Sequence, residues 1–306
     1  MSTLGLECIL SLSLFIWALY LCLRQRGRLL AVMLSLLTLA RPDGILAAIA
    51  FITFYERAPS PRAASRRTVL LYYLLCLVPW YAFSWRFLGS AFPDTFLIKL
   101  SQPPWDTWTF RNGPFLYLRK FPLETLTSVA FLPAAPLAWR DPSTRRVACL
   151  IAAFGCLHYP TYSAMNVPPY HWYYTPTVTA LALPGALGLA SLRRVQPPLG
   201  LAAIVPLGCM VLTIAHLGLP VREMPIHSNW ATAEQYRQIA GWIRQSTPPD
   251  ATIRVHGEIG TLAFYSGRPL LDSFSCRAEL RPILTETLSA GGPAAFLLAL
   301  NHANLP

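Results

Sequence analysis

The sequence predicts a polytopic α-helical membrane protein with a small, incomplete C-terminal extracytoplasmic α/β domain. Three observations predict it. Only 13% of the 306 residues are charged, against ~25% in a soluble domain. The apolar residues gather in long runs, as membrane helices require. The basic residues behind the net charge of +11 sit in short loops between those runs, which is the positive-inside pattern and not a nucleic-acid surface.

The apolar segments fall at about 4–23, 29–55, 68–88, 123–139, 146–165, 172–192 and 199–217. The first is no signal peptide, because its basic residues follow the apolar stretch instead of preceding it. Between the segments lie "RQRGR" (24–28), "ERAPSPRAASRR" (56–67), an aromatic loop (89–122), "RDPSTRR" (140–146), "NVPPYHW" (166–172) and "RRVQP" (193–197). If 29–55 crossed the membrane once, "RQRGR" would face away from the other three basic loops. If 29–55 enters and returns, all four basic loops share the cytoplasmic side, which the positive-inside rule prefers.

The middle of that segment, "LLTLARPDGILAAIAF", carries the turn such a hairpin needs. Each arm has about 12 residues and rises ~18 Å, short of a ~30 Å hydrocarbon core. The tip at Arg41, Pro42, Asp43 and Gly44 must therefore be buried in protein or line a wet cavity. Arg41 and Asp43 either mark a substrate path there or pair with each other to pin the turn, and both can hold at once.

Residues 1–217 thus form a transmembrane bundle, and 218–306 change character. Thr232 and Gln235 make a capping box, and Tyr236, Ile239, Ala240 and Ile243 follow helical spacing on one face. "TIRVH" alternates like a strand, "GEIGTLAFYSG" reads as a short helix bracketed by glycines, and "PLLD" as a second strand. No nucleotide-binding glycine motif is present. Six of the seven cysteines lie in apolar segments, Cys276 stands apart, and there is no CxxC pair. Disulfides, structural zinc and other cofactors are not expected. His256 and Glu258 are two ligands at most, a poor start for a metal site.

Five stretches, in order, resemble bacterial membrane glycosyltransferases of the GT-C superfamily, cell-wall arabinofuranosyltransferases and mannosyltransferase-like proteins among them. They are "STLGLECILSLSLFIWALYL", "LLTLARPDGIL", "GSAFPDTFLIKL", "PPYHWYYTP" and "WIRQSTPPDATIRVHGEIGTLAFYSGRPLLD". The resemblance implies a GT-C-like bundle in the cytoplasmic (inner) membrane. It implies transfer of a sugar, with inversion, from a polyprenyl-phosphate donor to an extracytoplasmic glycan, lipid or protein acceptor. In such enzymes the catalytic carboxylate lies on an early loop that this chain lacks, with only Glu7 near its start. The general base is accordingly expected upstream, and the chain reads as the C-terminal part of a longer enzyme.

That chemistry needs a carboxylate to take the acceptor proton and cations to hold the departing phosphate, for which the planar fork of Arg is well shaped. Arg41 and Asp43 are the first substrate-binding candidates. Lys99 is another, or else it snorkels to the headgroups. Asp94 can stand in for the missing base, though a turn beside Pro93 is its simpler role. His171 can bind phosphate or hydroxyls, with Trp172, Tyr173 and Tyr174 stacking on sugar or lipid or forming an interfacial belt. His158 and His216 read as packed. Arg268 can reach donor or acceptor, or pair with Asp272 inside its domain. A non-catalytic membrane subunit and a lipid-linked substrate transporter are the alternatives, the latter because transporters also build sites from broken helices.

Overall fold

The computed structural model describes residues 8–55, 64–93, 105–195, 201–217, 233–255, 259–272 and 291–304, with a few between 282 and 289. The chain is mostly helical with little sheet. Residues 66–88, 142–164 and 171–192 form helices long and apolar enough to cross a membrane. By this measure it has the architecture of a helical membrane protein. The chain divides into two compact units, residues 1–80 with 104–216, and residues 81–103 with 217–306.

The first unit opens with α1 (Cys8–Leu23), α2 (Gly27–Ala40) and α3 (Gly44–Phe54). Gln25 turns the chain after α1 with a positive φ of 55°, and its side-chain amide donates to the Cys22 carbonyl at 3.2 Å. Fourteen residues give α2 a rise of ~21 Å and eleven give α3 ~17 Å, both below the ~30 Å of a hydrocarbon core. The two pack against each other as a helical hairpin. At its open end the Tyr55 hydroxyl donates to the Gln25 carbonyl at 3.3 Å. Arg66 donates to the Tyr55 carbonyl at 2.6 Å, and Arg146 to the Phe54 carbonyl at 3.3 Å. Basic residues near the starts of two later helices thus satisfy carbonyls that the end of α3 leaves without intrahelical partners.

The helix α4 (Arg66–Phe83) packs on α2 through Tyr73, whose hydroxyl lies 3.0 Å from Thr38 Oγ1. The apolar segment at 123–139 is not one helix. After α5 (Gly113–Lys120) it divides into α6 (Pro122–Ser128), a tight turn at Leu132–Ala134, and α7 (Ala135–Arg140). Pro133 and Pro136 lack the N–H that a continuous helix would use, so each sits at the start of a new turn. The helix α8 (Pro142–Ala164) starts firmly: Asp141 accepts from the Ser143 N–H at 2.8 Å, with Pro142 in the first position. Next, α9 (Thr175–Val195) presses so closely on the broken segment that side chains at Gly185 and Gly188 would strike the carbonyls of Phe131 and Ala134. Close backbone approach through small residues is how helices pack without a hydrophobic driving force. The helix α10 (Leu201–Leu217) joins through Thr213, 2.9 Å from Thr127. His216, expected to be packed, is exposed at the end of α10, where an imidazole suits the helix dipole.

In the second unit α11 (Ala233–Ser246) precedes β1 (Ile253–Val255), α12 (Ile259–Ser266) and β2 (Leu270–Asp272). The strands pair in parallel, Ile253 opposite Leu270 and Val255 opposite Asp272. Tyr236, Ala240 and Ile243 of α11 bury against Leu262, Ile253, Val255 and Leu270. Ile239, expected on that face, is exposed, since it lies one position round the helix from Ala240. Thr232 of the expected capping box lies outside the described residues. The last helix is α13 (Gly292–Asn301).

Candidate functional site at the hairpin tip

Each residue of the "RPDG" turn has a physical task. Arg41 ends α2 in extended backbone (φ −148°, ψ 126°), as a residue before proline prefers. Its N–H still donates to the Leu37 carbonyl at 3.0 Å, and its own carbonyl accepts from the Gly44 N–H at 2.8 Å. Pro42 is exposed and brings no N–H that the turn would have to satisfy. Gly44 permits the close return: a Cβ there would lie 2.6 Å from the Leu37 carbonyl oxygen.

The two charged side chains bond each other as a fork. Arg41 Nε donates to Asp43 Oδ1 at 3.1 Å and Nη2 to Oδ2 at 2.9 Å. Their side chains are only 8% and 11% exposed. Two side chains of α8 complete the cluster. The Tyr162 hydroxyl donates to Asp43 Oδ2 at 2.9 Å, and His158 Nε2 stands 3.5 Å from the same oxygen. His158 is fully buried, its Nδ1 is 3.1 Å from Thr177 Oγ1 of α9, and its ring stacks on Tyr162 at 4.5 Å. Positions 158 and 162 are one helical turn apart, so both reach the tip from the same face.

Beside this cluster lies a small cleft, part of it open to the outside. Ser11, Leu12 and Phe15 of α1, Leu37 and Arg41 of α2, Gly44 and Ala47 of α3, Phe154 of α8, and Thr175 and Thr179 of α9 are on its walls, with Asp43 at the turn. Apolar walls with a few convergent polar groups are the usual make-up of a small-molecule site. The Ser11 hydroxyl is buried and has no hydrogen-bond partner among the described residues, a group that a ligand can satisfy. Asp43, the one carboxylate among the described lining residues, already accepts from Arg41 and Tyr162. It is placed to position Arg41, not to take a proton. Among the described residues no cluster of His, Cys, Asp and Glu is grouped to hold a metal ion.

The other candidates fall elsewhere. Tyr174 is buried, with its ring stacked on Phe110 at 4.3 Å and its hydroxyl donating to the Phe110 carbonyl at 2.5 Å. Its polar end serves the fold. Tyr117 on α5 packs edge-on against Tyr174 and donates to the Pro169 carbonyl at 2.5 Å; burial raises its phenol above the ordinary range, which keeps it a donor. His171 is half-buried on the tight turn His171–Tyr174, its ring edge-on to Trp172 at 5.0 Å. Trp172 in turn stacks on Tyr170 at 4.6 Å. Arg268, in the second unit, does not reach for Asp272 as its sequence setting suggested. Its guanidinium donates to the carbonyls of Arg244 and Thr247 at 2.8 Å and to Thr247 Oγ1 at 3.2 Å, where an arginine favours a helix C-terminus. Glu7, Asp94, Lys99, His256 and Glu258 lie outside the described residues.

Sequence reasoning passed over Tyr162; His158, read as packed, is buried and hydrogen-bonded as expected, and it also stands beside Asp43. The signal was their spacing of four within a helix whose other inward residues are largely apolar.

Comparison of the chain with protein-family models, with curated proteins and with solved structures finds no match.

Proposed function

We propose that this chain is a membrane glycosyltransferase of GT-C type, or the C-terminal part of one. The observation that carries the reading is Arg41, held in a fixed orientation by Asp43 on the wall of a largely apolar cleft among the helices of the first unit. A guanidinium fork is suited to a phosphate, and apolar walls are suited to the chain of a polyprenyl-phosphate sugar. The five motif stretches add the expected reaction: transfer with inversion to an acceptor of the cell envelope, outside the inner membrane, with the C-terminal region on that outer side. No metal or cofactor enters the proposal.

A second reading, a non-catalytic subunit of such an enzyme, is favoured by one observation. The only carboxylate among the described cleft residues is already occupied by donors, so a base must come from elsewhere. One experiment separates the two. Membranes containing the chain or its Arg41→Ala variant are supplied with radiolabelled polyprenyl-phosphate sugars, and both transfer and retention of label are measured. The enzyme reading expects turnover that falls at least tenfold in the variant. Retention of label without turnover, lost in the variant, supports the subunit. Equal behaviour of both chains in both measurements refutes any role for the cleft.

A further inference from the structure

The end of α4 and the helix α13, both in the second unit, form an apolar surface that the transfer chemistry does not use. The α-helical turns of α4 widen at Ser84–Leu88 and stop at Gly89, whose φ of 88° is open to glycine. The helix α13 is pinned there by four hydrogen bonds. Trp85 Nε1 donates to the Leu300 carbonyl at 2.8 Å, and Asn304 Nδ2 donates to the Trp85 carbonyl at 3.2 Å. Asn301 Oδ1 accepts from the N–H groups of Ala91 and Phe92 at 3.0 and 2.8 Å.

So fixed, α13 buries Ala295 and Leu298 and turns Phe296, Leu297 and Leu300 outward, at 69%, 63% and 53% exposure. This outward face adjoins the chain at Trp85, beside exposed Phe87 and Leu88. Those two residues lie in the last turn of the helix whose exposed apolar side chains also include Leu71, Leu75 and Val78. From Gly291 to Pro306 there is no Asp, Glu, Lys or Arg, whereas a water-facing surface carries roughly a quarter to a third charged residues. Ten residues rise only ~15 Å, half of a ~30 Å hydrocarbon core. A helix of this length and face cannot span the bilayer but fits lying in its interface.

We infer that α13 is an interfacial membrane helix, its Phe296–Leu297–Leu300 face buried in the lipid layer at which α4 ends. The occupant is lipid because the uncharged α13 is bonded to the end of a helix that is long and apolar enough to cross a membrane. The inference rests on α4 crossing the membrane and is independent of any transfer activity.

The test uses the full chain reconstituted in liposomes, with its seven cysteines replaced. Nitroxide labels are placed singly at Leu297→Cys, at Leu75→Cys on α4, and at Arg237→Cys on the exposed side of α11. Collision with oxygen and with a water-soluble nickel chelate is then measured. The expected result is that the Leu297 label, like the Leu75 label, meets oxygen at least fivefold more readily than nickel, while the Arg237 label shows the reverse. A Leu297 label that meets nickel as readily as the Arg237 label overturns the inference, and one shielded from both reagents points instead to a protein partner and overturns it too. An aqueous Leu75 label would overturn the membrane assignment and the inference together. As a check that needs no cysteine replacement, photoreactive lipids should crosslink to residues 293–304 of the native chain. Adducts on α4 with none on that segment would refute the proposal.

Discussion

Removing the carboxylate at position 43 should destabilise the first unit more than almost any other single truncation in the chain. Asp43 and Arg41 are almost entirely buried and joined by two hydrogen bonds of 3.1 and 2.9 Å. Asp43→Ala would leave a guanidinium in an apolar corner without its counter-charge and strip the Tyr162 hydroxyl of its acceptor. Breaking a buried ion pair from one side costs about 3–5 kcal/mol, while replacing both partners with apolar residues is often nearly neutral. The double variant Arg41→Met, Asp43→Leu should therefore recover most of what Asp43→Ala loses. Unfolding in mixed micelles by titrated SDS, followed by far-ultraviolet circular dichroism, measures both. At roughly 2–4 °C per kcal/mol, the single variant should also lower the midpoint of thermal unfolding by about 6–20 °C. A loss below 1 kcal/mol for Asp43→Ala, or a double variant no better than the single one, would refute the argument.

Three further outcomes are expected. Gly44→Ala sets a Cβ against the Leu37 carbonyl and the Thr38 nitrogen at 2.6 and 2.8 Å; backbone cannot swing aside, so about 1–3 kcal/mol should be lost in the same titration. Tyr162→Phe removes a 2.9 Å donor to a carboxylate and should cost about 1.5 kcal/mol with helix content unchanged, whereas an unaltered midpoint would show that the bond contributes nothing. Arg268→Ala frees the carbonyls of Arg244 and Thr247; faster amide exchange should appear in the last turn of α11, corresponding to about 1 kcal/mol, and leave the first unit untouched.

The sequence made the hairpin legible because its two signals are local. "RPDG" interrupts an apolar run, and the arms on either side are too short to cross. The helix–strand–helix–strand order after 232 was legible for the same reason, each element being bounded by its own glycine, proline or capping residue. What escaped was whatever depends on a partner far along the chain. Tyr162 bonds Asp43 across 119 positions, and nothing near either residue announces it. Tyr174 invited a binding role because it stands among exposed-looking aromatics, but its orientation is decided by Phe110. The segment at 123–139 looked like one helix by hydropathy, which does not register that two prolines have no N–H to give.

At the hairpin tip the negative end of the α2 dipole meets the positive end of the α3 dipole, and Arg41 meets Asp43. The Arg41–Asp43 pair carries no net charge. A single elementary charge moved across a membrane gains or loses ~2.3 kcal/mol per 100 mV, but a compensated pair moved together gains nothing. The tip can therefore be polar enough to hold an ionised ligand and still be indifferent to the membrane potential. Any voltage dependence would then have to enter with the ligand's own charge.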